Sequence, residues 1–198
     1  MKIPDLDKAK LEALEEFVIS CTVPFAGRKE DNRDVVGTGT LFQAAGSHFI
    51  ITANHFAKHV RDGREMMIPA SREGGLSLTL GHETVYGVTD DETDLDLAII
   101  QLEDDELIQE LRDGWNFVGP ENVASIDDES EFFYLAGYPR TFAAQRDADL
   151  DTGLATIIAS RYSGDVSNFE INVNEEVHLL LNHQKSGRSS PECCVIAF

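Results

Sequence analysis

Gly37 to Val60, GTGTLFQAAGSHFIITANHFAKHV, is the stretch whose reading decides the fold. Thr38 to Gln43 is a β-prone run set among Gly37 and Gly39. Ala44 to Ser47 is a small-residue turn, and His48 to Thr52 is a second run, rich in Phe and Ile. Two such runs around a short turn predict a hairpin. Ala53-Asn54-His55 follows, and then a short helical turn over Phe56 to Val60. The stretch therefore delivers one histidine, His55, at the end of a strand, where its neighbours hold it as a general base must be held. A lone histidine is equally at home in a core or on a surface, so the weight of His55 rests on the rest of the chain.

Working outward, Lys8 to Phe17 carries Leu11, Leu14 and Phe17 at helical spacing, with Asp5 or Asp7 available as a cap. This predicts a short N-terminal helix over 1–16. Phe17 to Phe25 is β-rich, with Pro24 suiting an edge or a strand terminus. Gly27 to Asp34 has the composition of a charged loop. Short strands are expected over 64–70, 76–80 and 84–88, then an acidic loop over 90–94 and a strand over Leu95 to Leu102. Glu103 to Asp113 is weakly helical and, with Gly114 to Asn122, forms a connector. Further strands are expected over 131–138, 154–160, 169–173 and 177–181. This cadence of short strands and turns predicts an all-β barrel architecture.

Composition narrows the partners. With 36 acidic against 16 basic residues the net charge is −20, which argues against nucleic acid and anionic membranes, because both are bound through clustered Lys and Arg. Cys21, Cys193 and Cys194 are the only cysteines. An odd count with one vicinal pair is no disulfide framework, and a reducing, cytoplasmic setting is expected. No apolar run is long enough to span a bilayer. The histidines outside the hairpin's end (His48, His59, His82, His178, His183) lack zinc-site spacing. The acidic run Asp90 to Asp94 lacks the glycine and late glutamate of a calcium loop. No metal or cofactor is expected.

Gly37-Thr38-Gly39-Thr40-Leu41-Phe42, a turn, and Ile50-Ile51-Thr52-Ala53-Asn54-His55 resemble the histidine motif of the trypsin-like (chymotrypsin-fold) serine peptidases, with Asn54 in place of an alanine. Asp94-Leu95-Asp96-Leu97-Ala98-Ile99-Ile100 resembles the family's aspartate motif. Asp96 directly precedes Leu-Ala, and Asp94 is its competitor. Gly137-Tyr138-Pro139 is similar to the turn that opens the second barrel in many bacterial members. Gly187-Arg188-Ser189 keeps the Gly-x-Ser core of the nucleophile motif, but Ser190 and Pro191 stand where two glycines are expected, and proline fixes φ and has no N–H. Cys193 is a second nucleophile candidate, preceded by Pro191-Glu192 rather than by Gly-x.

The resemblance covers roughly residues 17–190. It implies a chymotrypsin-like double β-barrel, with the first barrel over 17–113 and the second over 114–198. It implies His55, Asp96 and Ser189 as a catalytic triad, the N–H groups of Gly187 and Ser189 as the oxyanion hole, and a polypeptide as substrate. Only nine residues follow Ser189 (198 − 189 = 9), so the second barrel is expected to be incomplete. Val195 to Phe198 is expected to pair as an edge strand, or to cover the same edge in a partner chain. The function expected is a trypsin-like serine endopeptidase, and the alternative is a catalytically impaired pseudoprotease that binds peptides or serves as a scaffold. Asn182 to Lys185, just before the nucleophile motif, contain no acid, so a preference for Arg or Lys is not expected.

Overall fold

A computed structural model of the chain describes residues 8–29, 32–62, 65–74, 77–81, 84–90, 95–123, 132–146, 149–161, 178–183 and 192–197. In chain order the elements are α1 (Lys8–Cys21), β1 (Thr22–Lys29), β2 (Asn32–Ala44), β3 (Ser47–Thr52), α2 (Asn54–Arg61), β4 (Met66–Pro69), β5 (Ser77–Leu80), β6 (Thr84–Asp90), β7 (Leu95–Leu102), α3 (Asp105–Gly114), β8 (Phe132–Gly137), β9 (Ala144–Arg146), β10 (Asp149–Asp151), β11 (Ala155–Arg161), β12 (His178–His183) and β13 (Glu192–Ala197). The described chain is mostly β. The expected strand over 169–173 lies outside the described residues.

The hairpin forms as the pattern predicts. β2 pairs with β3 from Gly39↔Thr52 to Ala44↔Ser47. Ala45 and Gly46 turn the chain with φ of 51° and 81°, the two positive values that a two-residue type I′ hairpin loop requires. Around this hairpin a seven-stranded sheet is laid down in the order β5-β4-β1-β2-β3-β7-β6. All its pairings are antiparallel, and it curls into a half-barrel. Alternation sends Val23, Phe25, Leu41, Ile50, Ile68 and Ile100 into one core. Two glycines of β2 face the same way because a side chain would not fit. A Cβ at Gly39 would lie 2.5 Å from the Ile50 side chain, and one at Gly37 would lie 2.6 Å from the Phe56 ring.

Helix α3 and the segment after it close one side of this core. Asp104 caps α3, its carboxylate accepting from the N–H groups of Glu106 and Leu107 at 2.9 and 3.2 Å. Leu107 and Leu111, one turn apart, are buried. Trp115 is buried as well, and its indole N–H donates to the Pro69 carbonyl at 2.9 Å. The connector then runs beside β2, with Val118 N–H donating to the Leu41 carbonyl and Gln43 N–H to the Val118 carbonyl, both at 2.9 Å.

A second, four-stranded sheet runs β13-β12-β11-β8. β13 pairs along β12 from His183↔Glu192 to His178↔Ala197. The expected edge strand thus forms within the chain and begins earlier than Val195. A two-stranded ribbon of β9 and β10 completes the described strands.

Two expectations are corrected. Residues 17–21 are the last turns of α1, not the start of a strand. Their β-branched and apolar character yields to bonds made at the helix end, the decisive one from a remote residue. The Ser20 hydroxyl donates to the Phe17 carbonyl and the Thr22 hydroxyl to the Val18 carbonyl, both at 2.7 Å. The Ser20 carbonyl accepts from the Asn116 N–H at 2.8 Å. Second, Gly27 to Lys29 and Asn32 to Asp34 of the expected charged loop belong to β1 and β2, which pair out to Lys29↔Asn32. Pro24 stands third in β1, where one side of the strand is an open edge, as its residue type suggests. β4 pairs with β1 at Ala26 and Gly27 and does not reach Pro24, so no ladder bond is asked of the missing N–H.

Candidate functional site

The site is built where β3 stops. β3 pairs with β7 as far as Thr52↔Ala98. Beyond that point the chain leaves the sheet, Ala53 accepts from the N–H groups of Phe56 and Ala57, and α2 begins. β7, still paired to β6 at Asp96↔Thr89, runs on past the end of β3. This offset leaves Asp96 beside the first turn of α2.

Asp96 takes both hydrogen-bond donors that His55 offers on that side. One carboxylate oxygen accepts from the His55 backbone N–H at 3.0 Å. The other meets the His55 ring at Nδ1. The first bond satisfies an orphan N–H of a helix start and places negative charge at the positive end of the helix. The second fixes the tautomer. A carboxylate accepts only, so Nδ1 carries the proton and Nε2 keeps its lone pair. Both side chains are open to solvent, at 62% exposure for His55 and 43% for Asp96. Asp96 is an exposed carboxylate in the part of β7 that β3 does not pair.

The neighbours hold this arrangement. The His55 ring lies against the Phe56 ring, with centroids 4.0 Å apart and planes tilted by 44°. Phe56 in turn occupies the space that Gly37 leaves open. Asn54, the departure from the resembled motif, accepts a hydrogen bond from the Arg61 guanidinium two turns along α2. Gly87 of β6 lies against the side-chain ends of both Asn54 and Arg61, which a Cβ there would have to push aside. The Thr52 hydroxyl, buried, donates to the Thr38 carbonyl at 2.8 Å. Thr38, Thr52, Phe56 and Gly87 are the supports that sequence reasoning passed over. The glycines at 37 and 87 were the visible signal of close packing at two of them.

The other predicted site residues are not brought to this point by anything described. Gly187 and Ser189 lie outside the described residues, as does Asp94. Cys193 and Cys194 are in β13, opposite Asn182 and Leu181 of β12. Cys21 is buried at the end of α1, and burial pushes its thiol pKa up, away from nucleophilic use. His59 is half-buried, and its Nδ1 has no hydrogen-bond partner among the described residues. Among the described residues no cluster of His, Cys, Asp and Glu forms a metal-binding group. No described helix is long and apolar enough to cross a membrane. A separate cleft of about 230 Å³, lined by Pro24, Met67, Arg72, Trp115, Tyr138 and Leu154 among others, has neither His55 nor Asp96 in its wall.

Comparison with known proteins gives no match. No family model, curated protein or solved structure corresponds to the chain. The reading of the site therefore rests on its own chemistry.

Proposed function

We propose that the chain is a trypsin-like serine endopeptidase, with the two sheets as the halves of a chymotrypsin-like double barrel. One observation carries this reading: Asp96 accepts from both the backbone N–H and the ring Nδ1 of His55. That is the arrangement by which an acid orients a histidine so that Nε2 can take a proton. In this mechanism Ser189 attacks the peptide carbonyl as its proton passes to His55 Nε2. The tetrahedral oxyanion is held by the N–H groups of Gly187 and Ser189. His55, then an imidazolium steadied by Asp96, gives the proton to the leaving amine. Water repeats the sequence to release the acyl group. The acidic surface, with net charge −20, suits a polypeptide substrate rather than nucleic acid, and a cytoplasmic setting accords with the sparse cysteines.

A second reading has one observation behind it. Ser190 and Pro191 follow the candidate nucleophile where glycines are expected, and proline constrains the loop that would form the oxyanion hole. On that reading the chain keeps the scaffold and binds peptides without cleaving them. A fluorophosphonate probe separates the two, since it reacts only with an activated serine. Labelling that is lost in Ser189→Ala and in His55→Ala supports the peptidase. No labelling of the wild type, or labelling that survives Ser189→Ala, defeats the assignment of Ser189. If Cys193→Ala alone abolishes hydrolysis, the nucleophile is the cysteine.

A further inference from the structure

We propose that Thr38 is a positioning residue that fixes the turn after β8 against the strand leading into His55. Its consequence for turnover rests on the peptidase reading above; its geometry does not. Thr38 lies one residue beyond the last β2–β3 pair, Gly39↔Thr52. Its carbonyl would lack a ladder partner there, and the Thr52 hydroxyl supplies one at 2.8 Å. Its own hydroxyl reaches the other way and accepts from the backbone N–H of Tyr138, also at 2.8 Å. One residue thus touches the end of the strand that places His55 and the Gly137-Tyr138-Pro139 turn that leaves the second sheet.

Gly137 lies close to Thr38 as well. A Cβ at that position would come within 3.3 Å of Thr38 Oγ1, close enough that the hydroxyl would have to give by a few tenths of an ångström. The Tyr138 N–H is partly buried at this junction. Losing its acceptor would leave a donor unsatisfied, which favours movement of the turn. A substrate that spans the two sheets would feel this shift at the reacting bond. A misplacement of about 1 Å is enough to lower turnover by about a hundredfold.

Thr38→Val is the test. It keeps the side-chain shape and the carbonyl bond to Thr52, and removes only the hydroxyl. Thr38→Ser restores the hydroxyl and serves as the rescue. In Thr38→Val the Tyr138 amide should exchange with deuterium at least about tenfold faster, and kcat should fall by about 10- to 100-fold with KM little changed. In Thr38→Ser both should return to within about threefold of wild type. Unchanged protection of Tyr138 in Thr38→Val overturns the tether. Faster exchange with unchanged kcat overturns the positioning role. If the wild type neither hydrolyses peptides nor takes the probe, the peptidase reading falls by itself. The geometric claim is then decided by the amide chemical shifts of Ala53 to His55: moved in Thr38→Val and restored in Thr38→Ser upholds it, and unmoved in Thr38→Val sinks it.

Discussion

Asp96 does two separable things, and a single-atom change tells them apart. Asp96→Asn keeps an oxygen for the His55 backbone N–H but presents an amide to the ring, favouring the tautomer with the proton on Nε2. Fold and thermal stability should change little, while turnover should drop by about 10⁴-fold if the triad operates. A kinetic assay beside a melting curve checks both halves. His48 gives a different kind of test. Its Nε2 is buried without a partner among the described residues, and its ring meets Phe117 edge-on at 5.0 Å. Burial lowers its pKa below the usual 6.5, and the nearby Arg112 lowers it further, partly offset by Asp105. The unfolded chain therefore takes up this proton first as the pH falls. The resulting stability is present above pH 6.5 and is lost as the pH drops from there through the folded-state value. Melting temperatures followed from pH 7.5 to 5 should show a smaller decline in His48→Gln than in wild type.

At the scale of elements, the β2–β3 turn carries a removable cost. Ala45 has a left-handed φ of 51°, which a Cβ disfavours. Ala45→Asn creates Asn-Gly at a type I′ loop and should stabilise the fold by up to about 1 kcal/mol, read as a raised Tm with activity unchanged. The hairpin itself was legible because its signal is local: small residues in the turn and β-prone runs on either side. β7 was legible for the same reason, and Asp96 could be chosen over Asp94 from its place before Leu97-Ala98. The C-terminal turns of α1 were not legible. Ser20 is capped by Asn116, and no window around Phe17 contains that partner. Nor could the sequence reveal that Thr38 meets Tyr138, since the bond depends on how the second sheet docks. The ribbon of β9 and β10 escaped notice because three residues per strand carry no periodicity.

For the molecule as a whole, net charge works against the compact state. A net charge of −20 repels itself in the compact state and is screened over about 10 Å at 0.1 M salt. The melting temperature should therefore rise as sodium chloride is increased from about 0.01 to 0.5 M, with most of the gain below about 0.2 M, where the Debye length shrinks fastest. A flat or falling curve would mean that the acidic side chains are locally paired rather than collectively repulsive.

The strand order also sets a timetable. β1, β2 and β3 are neighbours in sequence and in the sheet, but β3's other neighbour is β7, and β4, β5 and β6 are sent to the flanks. His55 can be placed by local pairing, whereas Asp96 arrives only when the chain between them has closed on itself. Sheets with such remote pairings fold in roughly milliseconds to seconds, and the His55–Asp96 contact should be among the last made. Stopped-flow refolding of Asp96→Ala should then match wild type in its folding rate, with the loss of stability appearing in faster unfolding. A slowed folding limb would place Asp96 in the nucleus instead. On this timetable a chain still collapsing exposes an imidazole without its carboxylate, and the closed His55–Asp96 pair becomes the signature of a finished fold.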